Sequence, residues 1–246
     1  MGKPKRFMAV ADNHGDMQDD STVAAVLAFR EDFDPQIRVH LGDNWDFRNL
    51  RRGAGDEEKK DSLEGDWEAG EKFLRDYFAG PGERVFLFGN HDDRIYQMAR
   101  SSSGMARDYA DLGIRRINQT FKKLGVKSFP YDAADGIYHM GKLKMIHGYH
   151  AGTSAARCHA NVYGNVIFGH VHTQEVAPVP SVEPAEARSI GCLCKRNMDY
   201  INAKTGKLKW TNGWAYGYLF EDGTYQLYTT RKIDGKFHAA TEIKSY

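Results

Sequence analysis

Cysteine is almost missing from this chain. Cys158, Cys192 and Cys194 are the only three in 246 residues, too few and too poorly spaced for a disulfide framework. A core of this size needs no such staple, so they read as reduced packing residues, with metal binding a distant second. Long apolar runs are missing too, and no stretch approaches the ~20 residues of a membrane span. The basic start, Met1 to Arg6, is followed by only a short apolar run and does not read as a signal peptide; a cytoplasmic location is expected, with no membrane partner. Nor does one charge prevail. Lys and Arg number 34 against 33 Asp and Glu, a formal +1, which gives no support for an extended nucleic-acid track but leaves room for a local one. Neither a Walker loop nor a dinucleotide fingerprint occurs, so ATP-driven and hydride chemistry have no support. There is no internal repeat and no low-complexity tail.

What the chain does have is alternation. Residues 7–11, 37–41 and 85–88 are short apolar runs that end in polar loops and read as buried strands. Residues 22–29 and 67–78 carry helical periodicity, the second stopped by Gly80-Pro81-Gly82. Further helices are expected around 95–100, 114–124 and 153–163, with a strand at 166–168. A hairpin is expected at 137–140 and 143–146 about Gly141-Lys142. Residues 48–62, charged and glycine-bearing, read as a loop or lid. Beyond residue 180 the pattern turns to β, at 187–193, 214–220 and 225–233. One α/β domain over residues 1–246 follows, with two packed sheets, helices outside and a β-rich part at 187–246.

Five polar blocks end or follow these apolar runs. They are Asp12-Asn13-His14, Gly42-Asp43-Asn44-Trp45-Asp46, Gly89-Asn90-His91-Asp92, His147-Gly148 and Gly169-His170-Val171-His172. A single D-x-H or H-x-H pair recurs by chance. Five blocks at the carboxyl ends of successive strands fall where ligand sites of α/β sheets gather. Asp12 and His14 lie two apart, so their side chains point the same way if the extended conformation persists, and His170 and His172 repeat that spacing. Imidazole with carboxylate favours Zn, Fe, Mn, Co or Ni over Ca or Mg. The lack of cysteine in any block argues against a structural zinc finger. The set suits two transition-metal ions and points to metal-assisted phosphoester hydrolysis.

The order D-x-H, G-D-x-x-D, G-N-H-D, H-G and G-H-x-H, over residues 12–172, resembles the calcineurin-like metallophosphoesterase superfamily. Residues 189–193 and 210–218 more loosely resemble small metallophosphoesterases of bacteriophage and prophage genomes. The resemblance implies a four-layer α/β/β/α sandwich, two mixed β-sheets flanked by helices. It implies that Asp12, His14 and His172 bind a first metal, Asn90, His147 and His170 a second, and that Asp43 bridges both. His91 would be the general acid, its ring oriented by Asp46, with Asp92 the competing partner. Manganese is the first expectation for the pair, with Fe, Zn, Co or Ni as alternatives. The implied reaction is in-line attack on phosphorus by hydroxide generated at two ions roughly 3.5–4 Å apart.

The leading functional expectation is a phosphodiesterase acting on a nucleotide or nucleic-acid phosphodiester. A phosphomonoesterase or nucleotide pyrophosphohydrolase is the alternative, and a non-catalytic scaffold a remote one, since no ligand and no acid is missing. Where the protein phosphatases of the superfamily carry arginine after the second Asp of G-D-x-x-D, this chain has Phe47. A phosphate-clamping arginine has to come from Arg48 or elsewhere. His150 and His159 are candidate substrate contacts, weighed against ordinary hydrogen-bonded positions, while His40, His139 and His238 read as structural. Asp16 and Asn44 sit beside ligands. Trp45 and Phe47 form either an apolar wall for a nucleobase or aryl group, or simple packing.

Overall fold

The computed structural model describes residues 2–182, 185–196 and 209–241. Strand and helix alternate first: β1 (Lys5–Val10), α1 (Asp20–Phe33), β2 (Ile37–His40), α2 (Asp56–Lys60), α3 (Leu63–Tyr77), β3 (Glu83–Leu87), α4 (Arg94–Ala99), α5 (Gly104–Leu124) and β4 (Lys127–Phe129). Then come β5 (Tyr138–Met140), β6 (Leu143–Ile146), α6 (Ala155–Tyr163), β7 (Val166–Phe168), β8 (Val176–Pro178), β9 (Glu186–Ser189), β10 (Gly213–Leu219) and β11 (Tyr225–Arg231). Polar side chains set the helix starts. Asp19 accepts from the Thr22 N–H at 2.8 Å to cap α1, and Ser62 and Ser103 cap α3 and α5.

The alternation of β1 serves two cores at once. Phe7, Ala9 and Ala11 face one way and Met8 and Val10 the other. The first sheet runs β11-β10-β1-β2-β3-β4, parallel from β1 to β4 and antiparallel at β10 and β11. The second runs β5-β6-β7-β9-β8, parallel across β6, β7 and β9. Phe7, Ala9, Val39 and Leu87 meet Met140, Met145 and Ile167 between the sheets. On the outer face of the first sheet, Val26, Phe73, Leu74 and Phe121 pack on Met8, Val10 and Phe86. Phe73 and Leu74 are no more than 2% exposed, each worth about 1.5–3 kcal/mol of burial. Ala156, Ala160 and Tyr163 of α6 cover the second sheet. These are the four layers α/β/β/α. Among the described residues no helix is long and apolar enough to cross a membrane.

Three sequence expectations need correction. Residues 48–62 are not an open loop: Arg48–Leu50 form a 3-10 turn, α2 follows, and Ala54 is buried. The strand expected at 187–193 ends at Ser189. Gly191 turns the chain with φ +84, and Cys192 and Cys194 make only isolated bridges. Helix α5 starts at Gly104 rather than near 114. Residues 197–208 and 242–246 of the β-rich part lie outside the described residues.

Candidate metal centre

Parallel strands of two facing sheets end at one edge. β1 leads to Asp12 and His14, β2 to Asp43, β3 to Asn90 and His91, β6 to His147, and β7 to His170 and His172. The chain turns sharply there. Asp12, His14, Asp43, His170 and His172 have φ between +53 and +66, so the extended course expected for D-x-H and H-x-H does not persist. Such backbone costs of order 1–3 kcal/mol per non-glycine residue and has to be held by its surroundings. Here Asp12 N–H donates to the Gly42 carbonyl and His14 N–H to that of Asp43, each at 3.0 Å. Gly42, with φ +106, lets the loops touch: a Cβ there would lie 2.6 Å from the Gly89 nitrogen and 2.8 Å from His147 Nδ1.

Partners behind the rings fix which nitrogen carries a proton. His14 Nδ1–H donates to Asp46 Oδ1 at 2.9 Å, His147 Nδ1–H to the Leu41 carbonyl at 2.8 Å, and His172 Nδ1 lies 3.8 Å from Cys194 Sγ. The Nε2 lone pairs then face other acceptors. His14 Nε2 and His172 Nε2 are 3.1 Å apart, and Asp12 Oδ1 is 3.5 Å from the latter. His147 Nε2 lies 3.0 Å from Asn90 Oδ1 and 3.4 Å from Asp43 Oδ2, while His170 Nδ1 is 2.8 Å from the same Asn90 oxygen. Asp43 Oδ2 is also 3.9 Å from His14 Nε2, between the two clusters. Acceptors packed on acceptors away from water are costly unless a cation is shared. Nitrogen and oxygen donors in these numbers suit divalent transition metals. The residues fit such ions: ligand atoms of Asp43, His147 and His170 lie within 4.8 Å of one another, as do those of His14, Asp43 and His91 and those of His14, His172 and Cys194.

The electrostatics divide the candidate ligands. Burial lowers His170 and His172 to about 3 and keeps them neutral, the form that ligates. Burial raises the Asp12 carboxyl to about 7. Burial is the largest single influence on Asp43 and His147 and opposes charge on both, but His147, His91 and His14 together outweigh it for Asp43, and Asp43, Asp12 and the Leu41 carbonyl together for His147. Asp43 is held well below the usual carboxyl range, and His147 is pushed up to about 9.

His91 stands beside these clusters. Its Nδ1 is 2.6 Å from Asp46 Oδ1 and its Nε2 is 3.9 Å from Asp43 Oδ2. Asp46 Oδ1 therefore serves both His14 and His91. Asp92 does not meet the His91 ring; its carboxylate accepts from the backbone N–H groups of Asp43, Trp45 and Gly89 at 2.7–3.0 Å. Two residues without a motif complete the arrangement. Asp66 on α3 accepts from the N–H groups of Asp46 at 3.0 Å and Phe47 at 2.7 Å. Arg94 Nη1 donates to the Asp46 carbonyl at 2.7 Å. Each lies one residue ahead of where periodicity starts a helix, which is why no pattern marked it.

Other candidates fall elsewhere. Arg48 is engaged by Asp16, through Nη1 at 2.7 Å and Nη2 at 2.8 Å, and by Asp61 through Nε at 2.6 Å. His159 is a buried tie rather than a substrate contact: Nδ1–H donates to the Ala155 carbonyl and Nε2 accepts from the Tyr149 N–H. His150 is exposed, its ring 5.1 Å from that of His159. Trp45 and Phe47 are wholly buried against Trp67 and offer no wall to a ligand. His40 is buried and hydrogen-bonded to Asn13 Oδ1 at 2.8 Å.

No family model matches the chain, and no curated protein matches it significantly. Among solved structures it is similar to a metallophosphoesterase from Sphaerobacter thermophilus, with 13% identity and a TM-score of 0.49 over 93% of this chain and 88% of that one. It is similar to Vacuolar Protein Sorting 29 from Cryptosporidium parvum, with 12% identity and a TM-score of 0.44 over 97% of each. It is also similar to Yfce, a phosphoesterase from E. coli, with 16% identity and a TM-score of 0.38 over 95% of this chain and 97% of that one. The chemistry of the site stands on its own distances.

Proposed function

We propose that this chain is a metal-dependent phosphoester hydrolase of the calcineurin-like metallophosphoesterase type. Asp12, His14, His172 and Asp43 would hold one divalent ion, and Asn90, His147, His170 and Asp43 a second. The observation that carries this reading is the convergence of ring lone pairs on amide and carboxylate oxygens at 2.8–3.5 Å, with a hydrogen-bonded His–Asp pair alongside. When bound, the ions would neutralise phosphate oxygens and activate the attacking water.

The chain's own part is to place a proton. His91 Nδ1–H donates to Asp46 Oδ1 at 2.6 Å, which fixes the ring and makes Nε2 the atom that would carry the transferred proton. From Nε2 that proton passes to the oxygen of the leaving alcohol, a contribution typically worth ~10²–10⁴-fold. Asp66 and Asp92 hold the backbone of the Asp46 and Asp43 loops, so the pair keeps its distance from the clusters.

Within this reading the substrate is a phosphodiester of nucleotide size. A cleft of about 540 Å³ lies beside the centre, walled by Tyr96 and Tyr131 and carrying Asp93, Asp132, Asp135 and Arg100. Tyr131 joins it to the clusters, with its ring edge-on to His147 at 5.7 Å. Aromatic walls suit a nucleobase or aryl group. Three carboxylates against one guanidinium repel a run of phosphates, so a nucleotide is favoured over a nucleic-acid strand. Stripped protein reloaded with Mn²⁺ is expected to cleave bis(p-nitrophenyl) phosphate faster than p-nitrophenyl phosphate. Faster monoester cleavage would turn the reading to a phosphatase, and turnover of neither would sink the hydrolase.

A further inference from the structure

One arginine lies where the reaction needs a cation, and it is not the one next to the motif. Arg48 is held on three nitrogens by Asp16 and Asp61 at 2.6–2.8 Å, and those contacts with carboxylates leave its planar fork already used. Arg94 opens α4, directly after the turn that carries Asn90 and His91. Its Nη1 is anchored on the Asp46 carbonyl at 2.7 Å, and its Nη2 lies 3.2 Å from His91 Nε2. The other ring nitrogen is taken by Asp46, so Nε2 is the atom that faces the centre, 3.9 Å from Asp43 Oδ2. The guanidinium is thus fixed beside the reactive nitrogen of the acid, with its side chain 12% exposed; once Nε2 carries its proton both groups are donors, and an anionic oxygen between them satisfies both.

The geometry points to Arg94 as a catalytic residue that grips a non-bridging phosphate oxygen beside the leaving group; this rests on the phosphoesterase reading above. A substrate oxygen on the Arg94 side of His91 Nε2 falls within hydrogen-bond reach of both. A guanidinium suits this place better than an ammonium. It is planar, always charged, and binds a phosphate oxygen with one nitrogen while another keeps its anchor on the protein. The anchor on the Asp46 carbonyl also ties the clamp to the residue that orients the acid, so both register on the same phosphorus.

The test uses the metal-reloaded protein, with Arg94→Ala and the milder Arg94→Lys. Metal content by atomic emission should stay at the wild-type value in both. Orthophosphate and orthovanadate, measured by calorimetry, should bind Arg94→Ala roughly 10–100-fold more weakly, and diester turnover should fall by about 10²-fold. Added guanidinium ion should recover part of that turnover. Arg94→Lys, which keeps a charge but no fork, should fall between the two. Unchanged oxyanion affinity in both variants would overturn the inference, whatever turnover did, because Arg94 would then only brace Asp46. If the wild type cleaved no phosphoester the hydrolase reading would fail by itself, and the oxyanion affinities would still decide whether Arg94 is an anion clamp.

Discussion

The two metal-ligand clusters are built differently. Asp12, His14 and His172 are at most 5% exposed, and behind their rings stand the Asp46 carboxylate and the Cys194 sulfur. Asn90 and His170 are only half-buried, and behind His147 stands a neutral backbone carbonyl. A carboxylate behind an imidazole strengthens it as a ligand, and such outer partners are typically worth 10–100-fold in metal affinity. Depth and backing therefore make the first cluster the retentive one. The second opens toward Tyr131 and the cleft, and is expected to exchange its ion more readily and to meet substrate.

The largest effect should come from removing what the clusters share. Asp43→Asn is expected to lower turnover by roughly 10³-fold and to bring bound metal below one ion per chain. Full metal content in this variant, measured by emission spectrometry, would show that Asp43 is not shared at all. Graded chelation of the wild type comes next. One ion should leave at a chelator strength about 10–100-fold below that needed for the other. His170→Ala should abolish only the early step and His172→Ala the late one. A single step releasing both ions would dissolve the contrast.

Asp46 and His91 separate ligation from acid catalysis. His91→Ala should keep both ions and slow esters of poor leaving groups most, by ~10²-fold or more. Asp46→Asn should do that and also loosen the first cluster by about 10-fold, since Asp46 backs His14 as well. Loss of metal from His91→Ala would make His91 a ligand, an outcome its 3.9 Å approach to Asp43 leaves open to measurement.

Much of this was legible because the chemistry is written in short blocks. Each block follows an apolar run, and strand ends on a parallel sheet face one edge, so the ordering alone gathers Asp12, Asp43, Asn90, His147 and His170. Backbone conformation was not legible. D-x-H suggests an extended pair, yet Asp12 and His14 both turn left-handed, because loops from neighbouring strands must pass within contact of Gly42. A ligand wall stayed open beside packing for Trp45 and Phe47 because flanking glycine and charge hide the fact that α3 and α5 close over them. Helix α5 was cut short since Met105, Tyr109 and Leu112 lie on its exposed face and blur its apolar stripe. Arg94 and Asp66 carry no spacing signal; each acts on backbone or on a neighbour distant in sequence. The sulfur of Cys194 beside His172 was assigned to packing first and metal binding only a distant second, since C-x-C in an apolar run says nothing about what lies opposite.

The smallest effect concerns the support behind the first cluster and has a definite sign. Burial pushes the Asp66 carboxyl up to about 7, against the 3.8 of a free one, while two backbone N–H bonds pull the other way. Because the folded value lies above the unfolded one, folding favours the neutral form. That stabilisation is whole below about pH 4 and is lost as pH rises through about 7. Asp66→Asn cannot ionise, but it surrenders one of the two acceptor oxygens, so one N–H of the Asp46–Phe47 turn loses its partner. At pH 5 the variant should therefore melt below the wild type, since a stranded buried donor costs roughly 1–3 kcal/mol and each kcal/mol moves the Tm of a chain this size by about 2–4 °C. Toward pH 8 the wild type loses stability that the variant keeps, and the gap should narrow or reverse. Metal titration shifts both proteins alike and cancels in the difference. Parallel melting curves from pH 5 to 8 would mean that Asp66 is ionised throughout, and that its two N–H bonds, rather than its burial, set its charge.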